Sequence, residues 1–250
     1  MTYQWQKNGV SIEGATTDAY DSAAAASGDS GATVRCLVSG PTGTTTSKDA
    51  VLTVTAAPAP FAQDSGDDGI VSMEAENYTH IVSQGGHSWI PTKDPAGFTG
   101  SSAMLADPAD GASVKSPKHA SSCPRMDFSI NFVKSGVHYV WVRGLASSKV
   151  DNSYHVNIDG DYGTGAVSAE KMSGFNNPAF GAYVWDNQKG VDNQPSIPGV
   201  ITVKSPGLHV LHVSMRSAGL RIDKILLTTN PKYVPAGNGP AETLGDRPKK

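Results

Sequence analysis

Two carboxylates one residue apart, in Met73-Glu74-Ala75-Glu76-Asn77-Tyr78, are the side chains whose types and spacing most plainly invite chemistry. On a β-strand, residues i and i+2 project to one face, so Glu74 and Glu76 would repel unless a cation joins them. Residues 70–78 read as an opening strand with Ala75 on the opposite face. A third acid, Asp223, lies in Leu220-Arg221-Ile222-Asp223-Lys224-Ile225-Leu226-Leu227, the last clear strand. First and last strands often pair, which would bring the three acids together. Two readings stay open: the acids share a divalent cation, or they are solvated carboxylates on a sheet edge.

Loops carry a second set of candidates. Trp89 lies in Gln84-Gly85-Gly86-His87-Ser88-Trp89-Ile90-Pro91, and Tyr183 and Trp185 stand beside Asp186 and Asn187. Aromatic faces next to planar polar groups suit a ligand with apolar C–H faces and many hydroxyls, which is the chemistry of a sugar. The same residues equally suit anchoring of long loops. Arg143 ends the strand Trp141-Val142-Arg143-Gly144 and either pairs with a core carboxylate such as Asp159 or reaches an anionic sugar. Pairing is the default, because an unpaired buried guanidinium is costly. Trp141, among valines, reads as core. His155 fits a structural histidine as well as a ligand contact. His209 and His212 would point to opposite faces of one strand, and the seven histidines show no zinc spacing.

These groups need a β framework to position them. The chain of 250 residues carries 27 Gly and 16 Pro with 17% charged and 38% hydrophobic residues, so it is loop-rich and globular. A formal net charge of −3 announces no nucleic-acid surface, and no apolar run approaches the ~20 residues of a membrane span. Thr2-Tyr3-Gln4-Trp5 lacks the features of a signal peptide, so an internal fragment is expected. Met126, Phe128, Ile130 and Phe132 share one face at period two, and Val137 to Arg143 follow across Lys134-Ser135-Gly136, which predicts a hairpin. Further strands are expected at 152–159, 182–185, 199–203, 208–215 and 220–228. Short strands with turn punctuation and no helical stripe predict an all-β chain whose main body, 69–245, is an antiparallel β-sandwich of the jelly-roll, galactose-binding-like type. The Pro- and Gly-rich residues from 230 onward would wrap or fray.

Residues 56–68, Ala-Ala-Pro-Ala-Pro-Phe-Ala-Gln-Asp-Ser-Gly-Asp-Asp, have no periodicity and read as a linker. Before them, Tyr3-Gln4-Trp5-Gln6-Lys7-Asn8-Gly9 and Asp29-Ser30-Gly31-Ala32-Thr33-Val34-Arg35-Cys36 resemble the later half of a bacterial immunoglobulin-like domain, with Asn8-Gly9 as a hairpin turn. Residues 1–55 are therefore read as a partial domain lacking strands A and B, with little core of its own. Cys36 and Cys123 fall in different parts, so no disulfide joins them on this reading. Gly28-Asp29-Ser30-Gly31 copies the nucleophile tetrapeptide of chymotrypsin-like proteases, but no histidine precedes it.

His138-Tyr139-Val140-Trp141-Val142-Arg143-Gly144, Asn152-Ser153-Tyr154-His155-Val156-Asn157-Ile158-Asp159-Gly160, Pro206-Gly207-Leu208-His209, Met215-Arg216 and Asp223-Lys224-Ile225-Leu226-Leu227-Thr228 follow one another along the chain. Together with the Glu-Ala-Glu opening, they resemble carbohydrate-binding modules of families 6 and 35, and are similar to the C-terminal domain of family 115 α-glucuronidases. Ser217 and Ala218 stand where close relatives tend to carry acids. The resemblance implies a structural calcium on Glu74, Glu76 and Asp223, with main-chain carbonyls of residues 97–101 completing its shell. It further implies a non-catalytic module that attaches to a polysaccharide or oligosaccharide, and the side-chain chemistry above makes Trp89, Tyr183, Trp185, Asn187 and Arg143 the expected contacts. Such a module would be extracellular, one part of a larger secreted enzyme and monomeric in itself; a structural or adhesion unit is the alternative. Glycoside chemistry would need an acid pair across a cleft. With Glu74, Glu76 and Asp223 assigned to an ion, no other group repeats a known catalytic spacing, so no catalysis is expected and a glycoside-active enzyme is the remaining alternative.

Overall fold

The computed structural model describes residues 1–22, 27–54, 58–114, 123–160, 170–172, 180–189 and 197–245. The chain divides into two compact units, Met1–Ala57 and Pro58–Lys250.

The first unit holds β1 (Thr2–Lys7), β2 (Val10–Ser11), β3 (Thr33–Gly40), β4 (Gly43–Thr46) and β5 (Ala50–Val51) in one antiparallel sheet. Asn8 and Gly9 both adopt positive φ, 51° and 80°, as a two-residue hairpin between β1 and β2 requires. Trp5 is only half-buried, with its indole N–H donating to Thr17 O at 3.0 Å. Among the unit's described residues the fully buried apolar groups are small: Ala15, Ala32 and Cys36.

The second unit continues with β6 (Phe61–Ala62), β7 (Val71–Glu74), β8 (His80–Val82), β9 (Ser88–Thr92), β10 (Ala103–Asp107), β11 (Arg125–Phe132), β12 (Gly136–Leu145) and β13 (Tyr154–Ile158). After these come β14 (Glu170–Met172), β15 (Val184–Asp186), β16 (Gln188–Lys189), β17 (Ile197–Pro198), β18 (Val200–Val203), β19 (Gly207–Met215) and β20 (Arg221–Thr228). One sheet runs β15-β12-β20-β10-β9, with β18 on β12 and β7 on β20; the other runs β17-β16-β14-β13-β19-β11-β6, with β8 on β11. Period-two alternation drives their packing. Met126, Phe128, Ile130 and Phe132 of β11, with Leu211, Val213 and Met215 of β19, meet Val140 and Val142 of β12 and Ile225 and Leu227 of β20 in one core.

That core corrects three expectations. β11 and β12 do not form a hairpin: β11 pairs with β19, β8 and β6, whereas β12 pairs with β20, β15 and β18. Both strands are apolar on one face, and crossing between sheets lets both faces enter one core, which side-by-side pairing would not. Trp141 is not core. Its neighbours Val140 and Val142 point inward, so it faces outward opposite Leu226 and is half-exposed. Residues 61–63 are not linker. Phe61 is fully buried beside Phe128, β6 pairs in parallel with β11, and Gln63 Oε1 accepts from the N–H groups of Val133 and Lys134 at 3.0 and 2.8 Å. Gln63 thus pins the crossover, and its amide donates to the neutral Nε2 of buried His138, whose Nδ1 faces Gly136 O.

Candidate functional site

The expected opening strand and the last strand do pair. Glu74 stands opposite Lys224 and Met73 opposite Ile225, so β7 and β20 bring the predicted acids together. The strand carrying Glu74 ends there, however. Ala75–Asn77 form a 3-10 turn, so Glu76 does not share a strand face with Glu74 as expected. The two carboxylates converge by another route. Gly100 adopts φ +64°, and a Cβ at that position would overlap Glu76 Oε1 and lie 3.3 Å from Glu74 Cγ. The loop of residues 97–101 therefore threads between them only because position 100 lacks a side chain.

Hydrogen bonds tie that loop to all three acids. Thr99 N–H donates to Asp223 Oδ1 and its hydroxyl to Glu74 Oε2, both at 2.6 Å. Ser101 N–H donates to Glu76 Oε1 at 2.5 Å, with the Ser102 N–H at 3.3 Å. Asp223 sits at a β-bulge: Arg143 pairs with Lys224 and Gly144 with Ile222, leaving Asp223 outside the ladder register. Such an extra residue re-aims a side chain. Asp223 is fully buried and joined to Arg143, not the Asp159 first considered, while Lys224 Nζ lies 2.8 Å from Glu74 Oε1. Asp159 pairs instead with His209. Burial raises the Glu74 carboxyl above its ordinary value, the Asp223 charge adds to this, and hydrogen bonds from Lys224 and Thr99 oppose it.

Among the described residues no group of three or more His, Cys, Asp or Glu already stands in metal-binding geometry. The carboxylates of Glu74, Glu76 and Asp223 and the hydroxyls of Thr99 and Ser101 nonetheless suit a hard cation. The main-chain groups of the loop that face the acids are the N–H donors of Thr99, Ser101 and Ser102 rather than the expected carbonyls. Glu76 Oε2 is buried with no hydrogen-bond partner, which leaves an acceptor for a cation to satisfy. A cavity of about 600 Å³ opens beside it, lined by Glu74, Glu76, Asn77, Gly100, Ser101, Ala241, Glu242 and Leu244.

The predicted sugar contacts separate into two groups. Trp89 is 2% exposed, lies on β9 rather than a loop, and donates its indole N–H to Pro124 O at 3.2 Å, so it is a core anchor. Trp185 is half-buried and donates to Gly237 O at 2.9 Å, and a Cβ on Gly239 would press into its ring. It anchors the C-terminal residues through that bond and that contact. Arg143 and Tyr183 do come together. The guanidinium carbon lies 5.4 Å from the Tyr183 ring centroid, within cation–π range. Burial and the charge of Asp223 push the Tyr183 hydroxyl up to about 12, and its oxygen is buried without a partner. Asn187, half-buried between β15 and β16, accepts the Gly199 N–H on its main-chain oxygen at 2.7 Å.

Sequence reasoning missed Thr99, Lys224 and Glu242. Lys224 alone had a signal, its place beside Asp223 in a strand otherwise rich in Ile and Leu. A polar row on the outer face of the second sheet was also missed. Asn157, His212, Asp127 and His80 stand in register across β13, β19, β11 and β8. Asp127 accepts from His212 Nδ1 at 2.6 Å, His80 Nδ1 at 3.1 Å and Arg125 Nε at 2.9 Å.

Residues 65–242 match the glycosyl hydrolase family 115 C-terminal domain. The chain belongs to that family. This bears out the resemblance drawn from its motifs. The chain is also similar to uncharacterized protein P23 of Formosa agariphila, 34% identical over 124 residues, covering 48% of this chain and 29% of that protein. It thus spans less than a third of that relative's length. Among solved structures it is similar to a family 35 carbohydrate-binding module from Clostridium thermocellum, at 15% identity and TM-score 0.41 over 63% of this chain and 96% of the other. A second is the C-terminal CBM6 of a laminarinase from Zobellia galactanivorans, at 16% identity and TM-score 0.36 over 64% and 99%.

Proposed function

We propose that the second unit is a non-catalytic carbohydrate-binding module of a secreted multi-domain protein, stabilised by one calcium ion and recognising a polysaccharide or oligosaccharide. The observation that carries this reading is the match of residues 65–242 to a domain named for its place at the C-terminus of glycosyl hydrolases. The acids support a non-catalytic role, since Glu74 and Asp223 are engaged by Lys224 and Arg143 rather than presented to solvent.

Calcium would be held by Glu74, Glu76 and Asp223 with oxygens of residues 97–101. It would offset the negative charge that remains where three carboxylates meet two cations, Lys224 and Arg143. The chain's own part is to bring β7, β20 and the 97–101 loop together, through Thr99 and Gly100. Sugar contact falls to the Tyr183 ring, with Arg143 stacked against it and held by Asp223, and with Asn187 further along the chain, because Trp89 and Trp185 are engaged in packing. An open platform buries little surface and exchanges water hydrogen bonds for sugar ones, so dissociation constants of roughly micromolar to millimolar are expected.

A glycan array including algal and plant polysaccharides, read with the full chain in calcium, tests the binding. Retention of at least one polysaccharide, lost on Tyr183→Ala without a change in melting temperature, is the expected result. No retention of any glycan would favour a structural or adhesion role. Calcium is tested separately by its effect on the melting temperature against a strong chelator.

A further inference from the structure

The C-terminal residues 237–245 do more than cover a sheet edge. Thr243 exchanges hydrogen bonds with Ser72 of β7, its N–H donating to Ser72 O and its hydroxyl accepting the Ser72 N–H, both at 3.0 Å. One residue earlier, Glu242 Oε1 accepts the Glu74 N–H at 2.8 Å. Asn77 Nδ2 lies 3.0 and 2.9 Å from the two oxygens of Glu242. Glu74 and Asn77 bracket the 3-10 turn that bears Glu76. One side chain from the strap therefore holds both ends of the turn.

A second link runs through Lys224, which is 3% exposed. Its ammonium donates to Glu74 Oε1 at 2.8 Å and to Asn238 O and Pro240 O at 3.2 Å each. An ammonium has three protons, and here each has an acceptor. Glu74 Oε1 is thereby held from behind, leaving Oε2 turned toward Thr99 and the other acids.

We infer that this strap is the outer support of the cation site, with Glu242 and Lys224 as positioning residues that fix Glu74 and the Glu76 turn in ligating geometry. The inference rests on the calcium reading above. Supports of this kind commonly change metal affinity nearly as much as ligands do, because a ligand free to swivel must be ordered on binding. Strap docking and cation binding then favour each other reciprocally. Trp185, bonded to Gly237 O, lies where it would report docking.

The test is calcium titration of the full chain, followed by melting temperature and by tryptophan emission with Trp185→Phe as the reference. Calcium should raise the melting temperature of the unsubstituted chain and change the Trp185 emission. Glu242→Ala and Lys224→Met should each weaken calcium affinity by about 10–100-fold. Glu242→Gln, which keeps an acceptor for the Glu74 N–H, should fall between, and it carries the comparison if Glu242→Ala does not fold. A calcium response equal to that of the unsubstituted chain in these variants would overturn the inference while leaving the calcium reading intact. No calcium response in the unsubstituted chain would overturn both.

Discussion

At the scale of single residues, what a side chain does follows from which of its atoms are already engaged. Trp89 and Trp185 look alike in sequence, each an aromatic in a Gly- or Asn-rich stretch, yet both indole N–H groups are engaged by main-chain oxygens, Trp89 in the core and Trp185 at the surface. Trp89→Ala should lower stability by about 3–5 kcal/mol as a core truncation. Trp185→Ala should cost about 2 kcal/mol, since half the ring and one hydrogen bond are lost. Chemical denaturation measures both, and sugar binding should persist in the folded fraction of each. Asp127 behaves differently, through charge. Burial works to raise its carboxyl, but hydrogen bonds from His212 and His80 and the charge of Arg125 outweigh that and leave it below the ordinary value. A depressed carboxyl contributes stability that is fully present above the unfolded value, about 3.9, and is lost as pH falls through the lower folded value. Asp127→Asn should therefore flatten the fall in stability below about pH 4. An unchanged acid limb would show that other groups control it.

At the scale of elements, the site depends on a loop and a bulge more than on strand faces. The loop carrying Gly100 passes between Glu74 and Glu76 at φ +64°, where an L side chain is strained and would meet a carboxylate oxygen. Gly100→Ala should cost about 1–3 kcal/mol and reduce any calcium-dependent rise in melting temperature. An alanine variant with the original melting temperature in both calcium and chelator would mean that the loop tolerates displacement. The bulge at Asp223 acts alongside, because only a break in ladder register turns both Asp223 and Lys224 toward partners, one to Arg143 and the other to Glu74.

At the scale of the whole chain, the boundary of the second unit falls before Phe61, so two truncations that differ by a few residues should behave differently. A chain of residues 58–250 retains Phe61 against Phe128 and Gln63 on the crossover, and it should unfold cooperatively with the melting temperature of its parent. A chain beginning at residue 65 lacks both. It should lose about 3–5 kcal/mol, the range for removing a large buried aromatic. Equal melting temperatures for the two would place the start of the folded unit later than β6.

Sequence alone determined the all-β class, the positions of most strands in 123–228, the pairing of the strand at Glu74 with the last, and the family, because these rest on local alternation, turn residues and motif order. Asn8-Gly9 and the Met126 to Phe132 face were legible for the same reason: each is set by neighbours within a few positions. The tertiary structure decided which face Trp141 takes, that β11 and β12 enter different sheets, and that Phe61 is core, since a strand's apolar face carries no label for its partner. It also decided the site. Thr99, Gly100, Lys224 and Glu242 are separated from Glu74 by 25 to 168 residues, so the hydrogen bonds of Thr99, Lys224 and Glu242 to Glu74, and the space that Gly100 leaves, exist only after the chain has closed. No local pattern encodes them.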